Sequence, residues 1–286
     1  MADQPLASIC IPAYNNQDFI KATIEGILNQ TYENLEIVIT DDKSSDRTVS
    51  IIKEFVDPRI HLVQNDRNLG MGENWNKAVS LARGKYVKLV CGDDVIYPEC
   101  LSRQIEVMER PANAGVALAL CNSNVINDNN EVVLRRTSRF GSGRVSGGKI
   151  IRSCVRWGTN LIGEPVVGLF RKDHLLQSGM YDPSNPYLID LSFWAGLLKC
   201  GDAFFDPTRL AAFRVSSGSV STKVGFQQAA YFRKFIRKME QDPVYQIRTL
   251  DVLSGSFFSL QWCLLRNLVI RARTKSRRSK TDGLAA

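Results

Sequence analysis

Between residues 6 and 90 short apolar runs alternate with segments of helical period, and that alternation leaves few folds open. Leu6–Ile11 reads as a buried strand closed by Pro12. Asn15-Asn16 opens a helix with Ile20, Ile24, Ile27 and Leu28 on one face. Leu35–Ile39 is a second strand, followed by a helix capped by Asp46 with Val49, Ile52 and Val56 inward. Ile60–Val63 is a third strand. The next helix carries Trp75, Val79 and Ala82 and stops at Gly84, and the fourth strand is Tyr86–Val90. Strands separated by helices return parallel to one another. The expected class is therefore α/β, a Rossmann-like, mixed but mainly parallel sheet flanked by helices.

In such sheets ligands gather beyond the carboxyl ends of the strands. Here every strand ends in polar residues: Tyr14-Asn15, Asp41-Asp42, Asp66 and Asn68, then Asp93-Asp94. The last pair is the most informative. Adjacent carboxylates repel, and neither is easily buried without a partner. Either the pair lies in water in an ordinary turn, or a cation or sugar hydroxyl sits between them. Nucleotide loops of the GxxxxGK[ST] type, or GxGxxG after the first strand, are absent from the sequence.

Beyond residue 98 the pattern loosens. A helix is expected over Pro98–Arg110, then strands Val116–Val125 and Glu131–Arg135 around an Asn-Asp-Asn-Asn turn. Arg139–Gly148 reads as a Gly/Ser-rich loop and Pro165–Phe170 as a strand. Asp190–Leu198 makes a helix closed by Cys200-Gly201, and Phe204-Phe205 and Leu210–Val215 make two more strands.

Charge divides the chain. Residues 1–222 hold 24 Lys+Arg against 25 Asp+Glu, whereas residues 223–286 hold 13 against 4. The expected organisation is a neutral globular domain, 1–222, and a basic, amphipathic helical extension, 223–286. A nucleic-acid binder would spread its basic residues over the core fold, so nucleic acid is not an expected partner. In the extension, residues 252–270 are apolar but interrupted by Gln261, Arg266 and Asn267, which argues against a bilayer span. The run RARTKSRRSK follows. Two readings stand: a helix lying on an anionic membrane surface, or a helix packed on the domain before a solvated charge run. The seven cysteines are scattered, never spaced CxxC, and the N-terminus lacks a basic, signal-like segment, so a cytoplasmic location is expected.

Five stretches in order, SICIPAYNNQDFI, IVITDDKSSDRT, NLGMGENWNKAVSLARGKYV, CGDDVIYP and YLIDLSFWAGLLKCG with FRVSSGSVS, resemble the inverting family 2 glycosyltransferases of GT-A fold. The likeness covers about residues 6 to 221. It implies that Pro12, Ala13, Tyr14 and Asn15 line the base of a nucleotide, with Tyr14 as a stacking face. Asp42 would accept a hydrogen bond from a uracil imide, and Asn68 and Asn76 would lie near the sugar nucleotide. Asp93 would bind ribose or donor sugar. Asp94 would ligate a divalent cation, Mn²⁺ or Mg²⁺, that bridges the diphosphate.

Asp190 would be the base that deprotonates the acceptor hydroxyl, against a plainer reading as a helix N-cap. The implied donor is a nucleotide diphosphate sugar, and the implied acceptor a glycan or lipid-linked saccharide, with peripheral contact to the membrane through the C-terminal segment. The sequence departs from the pattern twice. Cys91 stands where relatives often carry an acid, and Ser216 where they often carry His. Arg214 remains either a diphosphate contact or a surface strand residue. A polyprenyl-phosphate sugar transferase and a catalytically inactive nucleotide-binding partner are the rival readings.

Overall fold

A computed structural model describes residues 4–215 and 225–282. Four strands form the expected parallel half: β1 (Ala7–Ala13), β2 (Leu35–Asp41), β3 (Ile60–Gln64) and β4 (Tyr86–Leu89), in the order β3-β2-β1-β4. β1 and β2 are buried along their whole length, which is why they read as unbroken apolar runs. β1 does not stop at Pro12. The Val90 amide donates to Cys10 O as the last bond on the β4 side, and alternation turns the nitrogen of Pro12 toward that same side, where no ladder follows. The other edge continues to pair with β2 as far as Ala13, so the missing N–H costs nothing.

Helices α1 (Ile20–Leu28), α2 (Thr48–Lys53) and α3 (Met71–Ser80) connect these strands. α2 ends at Lys53, a turn short of Val56, and Val56 is exposed rather than inward; Phe55 packs on the core instead. Asp46 acts from just outside α2, accepting from the Thr48 amide (2.9 Å).

The second half is mixed. After β5 (Val95–Ile96) and α4 (Cys100–Glu109) come β6 (Val116–Ile126), β7 (Val132–Arg136), β8 (Gly143–Val145), α5 (Gly147–Trp157) and β9 (Gly168–Arg171). Then follow α6 (Leu175–Ser178), α7 (Ile189–Leu197) and β10 (Asp202–Arg214). β9 is inserted antiparallel between β4 and β6, and β6 runs parallel to β10. The stretch 139–148, expected as a loop, contains β8 and the start of α5. The two short strands expected over 204–215 are one strand, with register shifts between Asp206 and Ala211. Those shifts break the alternation that a sequence reading relies on.

Helix α8 (Gln228–Glu240) and helix α9 (Thr249–Asp282) form the extension. α9 is fastened to α5 by fully buried Asp251, which accepts from Arg152 Nε (2.7 Å) and Arg156 Nε (2.8 Å). A Cβ on Gly255 would fall 1.9 Å from Val155 O, so only glycine lets the two backbones meet there. The expected boundary at 222–223 lies outside the described residues.

Candidate active site

The carboxyl ends of β1, β2 and β4 lie side by side, because the three strands are parallel and paired in register. Beyond β1, Tyr14 is half exposed over buried Pro12 and Ala13. Asn15 takes a left-handed conformation (φ 51°) and is tied to the β2 loop, its amide donating to Ser44 Oγ and its Oδ1 accepting from the Ser45 amide, both at 2.9 Å. Gly92 faces this loop, and a Cβ there would lie 2.6 Å from Asn16 Oδ1. The β1 loop and the Asp93-Asp94 turn are thus in contact.

Asp42 is buried, and its carboxylate orders the 65–70 loop. Oδ1 accepts from Asn65 Nδ2 (2.8 Å) and the Leu69 amide (2.7 Å), Oδ2 from the Gly70 amide (2.9 Å). Three of its four acceptor positions are committed, leaving one for a ligand. Its neighbour Asp41, read from the sequence only as a polar strand end, has a buried Oδ1 with no partner among the described residues. Asn68 is exposed at the rim, donating to Asp42 O (3.2 Å).

Asn76 is tied to the segment that precedes α7. Its Nδ2 donates to Tyr181 O and its Oδ1 accepts from the Tyr181 amide, both at 2.9 Å. This pair of bonds fixes the segment that leads to α7. Tyr181 in turn stacks on Phe193 of α7, at 3.9 Å between ring centres.

The Asp93-Asp94 turn is clamped from below by Arg214, at the end of β10. Its backbone amide donates to Asp94 Oδ1 (3.0 Å) and its Nε to Asp93 O (2.8 Å). The other two guanidinium nitrogens donate to Asn127 O (2.5 Å) and Asn130 Oδ1 (2.6 Å), and the group lies over the Phe19 ring. Arg214 is 1% exposed, so it is no surface strand residue. It holds the acidic turn from the protein side. A charged residue within the apolar run 210–215 was the sequence's signal for a buried partner.

Asp190 lies one residue inside α7, whose N-cap position is Leu188 with no side-chain cap bond. It does not cap the helix. Its Oδ1 accepts from the Leu191 amide (2.7 Å) and its Oδ2 from Asn160 Nδ2 (2.9 Å). Asn160 is itself set by accepting from the Ile162 and Gly163 amides, and the same loop delivers Glu164, which pairs with Arg136. Asn160, Glu164 and Arg136 were missed by the sequence reading. They stand in a loop and on a short strand with no pattern of their own.

Electrostatics gather these groups into one site. Burial pushes the Asp190 carboxyl up to about 7, and the charge of Glu164 adds to this. Burial and the adjacent Asp93 hold Asp94 well above the usual carboxylate range, with Glu164 contributing again. Asp93 is raised as well, by burial. The Cys91 thiol is pushed up by burial and then by Asp94, Asp93, Asp190 and Glu164. Four carboxylates therefore act on one point. Asp94 Oδ2 is buried there with no partner among the described residues. A carboxylate oxygen so placed needs a proton or a cation. Asp94 thus fits a role as a metal ligand. No three His, Cys, Asp or Glu side chains among the described residues are grouped to hold an ion by themselves. Ser216 lies outside the described residues.

A glycosyltransferase of GT-A architecture is the class that this sheet and acidic edge fit. The model of glycosyl transferase family 2 matches residues 8–173, more than half of the chain, and the chain belongs to that family. Among curated relatives it is 42% identical, over 104 residues, to the UDP-Glc:alpha-D-GlcNAc-diphosphoundecaprenol beta-1,3-glucosyltransferase WfaP of Escherichia coli, covering 36% of this chain and 41% of WfaP. S. aureus TarS, solved in complex with UDP-GlcNAc, superposes with a TM-score of 0.64 at 17% identity, over 92% of this chain and 72% of that one. The mannosyltransferase PcManGT from Pyrobaculum calidifontis, solved with GDP-Man and Mn²⁺, gives 0.64 at 17% identity, over 99% and 81%. The fold is GT-A, and the protein is a glycosyltransferase.

Proposed function

We propose that this protein is a metal-dependent, inverting transferase that moves a sugar from a UDP-sugar to a glycan or lipid-linked saccharide in surface-polysaccharide synthesis. The observation that carries the reading is the convergence of a buried, unpartnered Asp94 oxygen and a raised Asp190 carboxyl at the ligand edge of the sheet. WfaP, by its name a UDP-glucose-dependent enzyme acting on a lipid diphosphate saccharide, supports the choice of donor and acceptor.

The base stacks on Tyr14 above Pro12, Ala13 and Asn15, with the remaining acceptor position of Asp42 open to its imide. Asn68 stands at the rim of the nucleotide. Asp93 takes a donor hydroxyl. A divalent cation, Mn²⁺ or Mg²⁺, neutralises the departing diphosphate when bound, and Asp94 is the protein oxygen that would hold it. Arg214 holds the turn that carries both carboxylates.

In the transfer itself the acceptor oxygen attacks the anomeric carbon as the bond to the diphosphate breaks, and the electron pair leaves with the nucleotide. Asp190 takes the acceptor proton, and a carboxyl near 7 is well matched to receive it. Asn160 fixes the carboxylate for that task. The scattered cysteines, never spaced CxxC, are in keeping with work on the cytoplasmic side, and the basic C-terminal segment makes peripheral contact with the membrane.

The test is release of UDP from a panel of UDP-sugars with Mn²⁺ or Mg²⁺, water serving as acceptor. Asp190→Asn should lower turnover by at least about 10²-fold with UDP affinity nearly unchanged. Turnover within a few-fold of the natural protein would remove Asp190 as the base.

A further inference from the structure

Helix α9 buries the wrong residues for an ordinary surface helix. Its inward row is Asp251, Gly255, Ser259 and Cys263, small or polar side chains spaced by four. Its large apolar residues face out: Leu253 is 62% exposed, Phe257 58%, Leu260 52% and Leu264 47%. At about 100° per residue these four fall within roughly 60° of arc, on the side opposite the buried row. Leu250, also exposed, widens the same face. Surface helices of globular proteins show the reverse arrangement, apolar stripe inward.

The small inner row has a packing reason. It lets α9 approach α5 closely, where Gly255 meets Val155 O and Ser259 lies against Gly158. Nothing in the fold requires an apolar outer face. On the side toward α5, Trp157 and Trp262 are partly exposed and joined by a hydrogen bond from Trp262 Nε1 to Trp157 O (3.1 Å).

Charge selects the occupant. Past this face the sequence carries six Lys or Arg, and no acid, over residues 271–280. An exposed apolar stripe followed in the sequence by a basic run matches an anionic bilayer surface, with acyl chains below and phosphates above. A second copy packed with its helix parallel to this one would bring two basic segments together. Among the described residues no helix is long and apolar enough to cross a membrane, so the fit is to lying in the surface.

We propose that the outer face of α9 is a bilayer-docking surface, with Leu253, Phe257, Leu260 and Leu264 entering the acyl boundary of an anionic leaflet. This rests on the peripheral membrane contact proposed above and adds that the contact is apolar as well as electrostatic.

Flotation of the full chain with phosphatidylcholine vesicles, with and without phosphatidylglycerol, at low and high salt, tests it. The natural protein should float with the anionic vesicles and retain part of that binding at high salt. The triple variant Leu253→Ser, Phe257→Ser, Leu260→Ser changes only exposed side chains, and UDP binding checks that it is folded. It should lose all binding at high salt and at least about tenfold at low salt. Removing residues 271–286 should instead abolish the preference for anionic vesicles. Equal flotation of the triple variant and the natural protein would overturn the inference and leave a purely electrostatic contact. No flotation of the natural protein would overturn both. A dimer in light scattering that the triple variant turns into a monomer, without flotation, would assign the face to a second copy.

Discussion

Asp190→Asn should make the protein more stable while removing its base, and the gain should depend on pH. The ordinary carboxyl value is 3.8, and in the folded protein burial, with the charge of Glu164, raises Asp190 to about 7. The folded state therefore keeps the proton that the unfolded chain gives up. The destabilisation is absent below about pH 4, grows between about 4 and 7, and is complete above 7. At about 1.4 kcal/mol per unit, it amounts to roughly 4 kcal/mol at pH 8. Asparagine avoids it but has one acceptor where aspartate has two, so either Asn160 Nδ2 or the Leu191 amide loses its bond. That subtracts about 1–2 kcal/mol. A net gain of about 2–3 kcal/mol remains, which for a chain of this size raises Tm by about 5 °C. Differential scanning calorimetry of both proteins from pH 4 to pH 8, without metal or nucleotide, measures it. The variant should match or fall slightly below the natural protein at pH 4 and exceed it by several degrees at pH 8. An equal Tm difference at every pH, or a less stable variant at pH 8, would refute the reasoning.

Other changes probe the supports of the site. Glu164→Gln removes a charge that raises Asp190, so the acid limb of kcat/KM for UDP-sugar hydrolysis should move to lower pH; an unmoved limb would detach Glu164 from the base. Asp251→Ala leaves Arg152 and Arg156 without their buried partner; since both arginines are partly exposed, a loss of about 2 kcal/mol is expected in urea unfolding. Burial alone would raise the Asp251 carboxyl, but donors from the Arg248 amide, Arg152 and Arg156 hold it below its ordinary range. That stability is thus present above the ordinary range and lost as pH falls through the depressed value. Arg214→Ala removes three guanidinium bonds under the acidic turn and should cost about 3 kcal/mol of stability, with weaker UDP binding in Mn²⁺ by calorimetry.

The parallel half was legible because each of its strands is a separate apolar run, and its polar ends mark one edge of the sheet. Even Pro12 misled only by two residues, since pairing on one side lets a strand run past a proline. The antiparallel half was harder to read. β5 is two residues long, β8 lies in a Gly/Ser-rich stretch, and β10 shifts register midway. Short or bulged strands carry too few alternations to show a period.

The site divides in the same way. Asp93, Asp94 and Asp190 could be found from strand and helix ends. Glu164 and Asn160 come from a loop whose composition resembles any other, and only the fold brings them to Asp190. Arg214 was visible but its burial was not, because a strand residue's burial depends on what pairs beside it. The apolar run of α9 was visible too, but which side of the helix faced outward was set by α5, a helix the sequence reading did not find.

The central claim is that Asp94 holds a cation that in turn holds a nucleotide diphosphate, and calorimetry of UDP binding with and without Mn²⁺ tests it most directly. In the natural protein Mn²⁺ should strengthen UDP binding by at least about tenfold, because the ion offsets the repulsion between the phosphates and the four converging carboxylates. Asp94→Ala should fold normally, since it loses only the bond from the Arg214 amide, and should show no strengthening by Mn²⁺. Equal UDP affinity for the variant and the natural protein in Mn²⁺ would contradict the account.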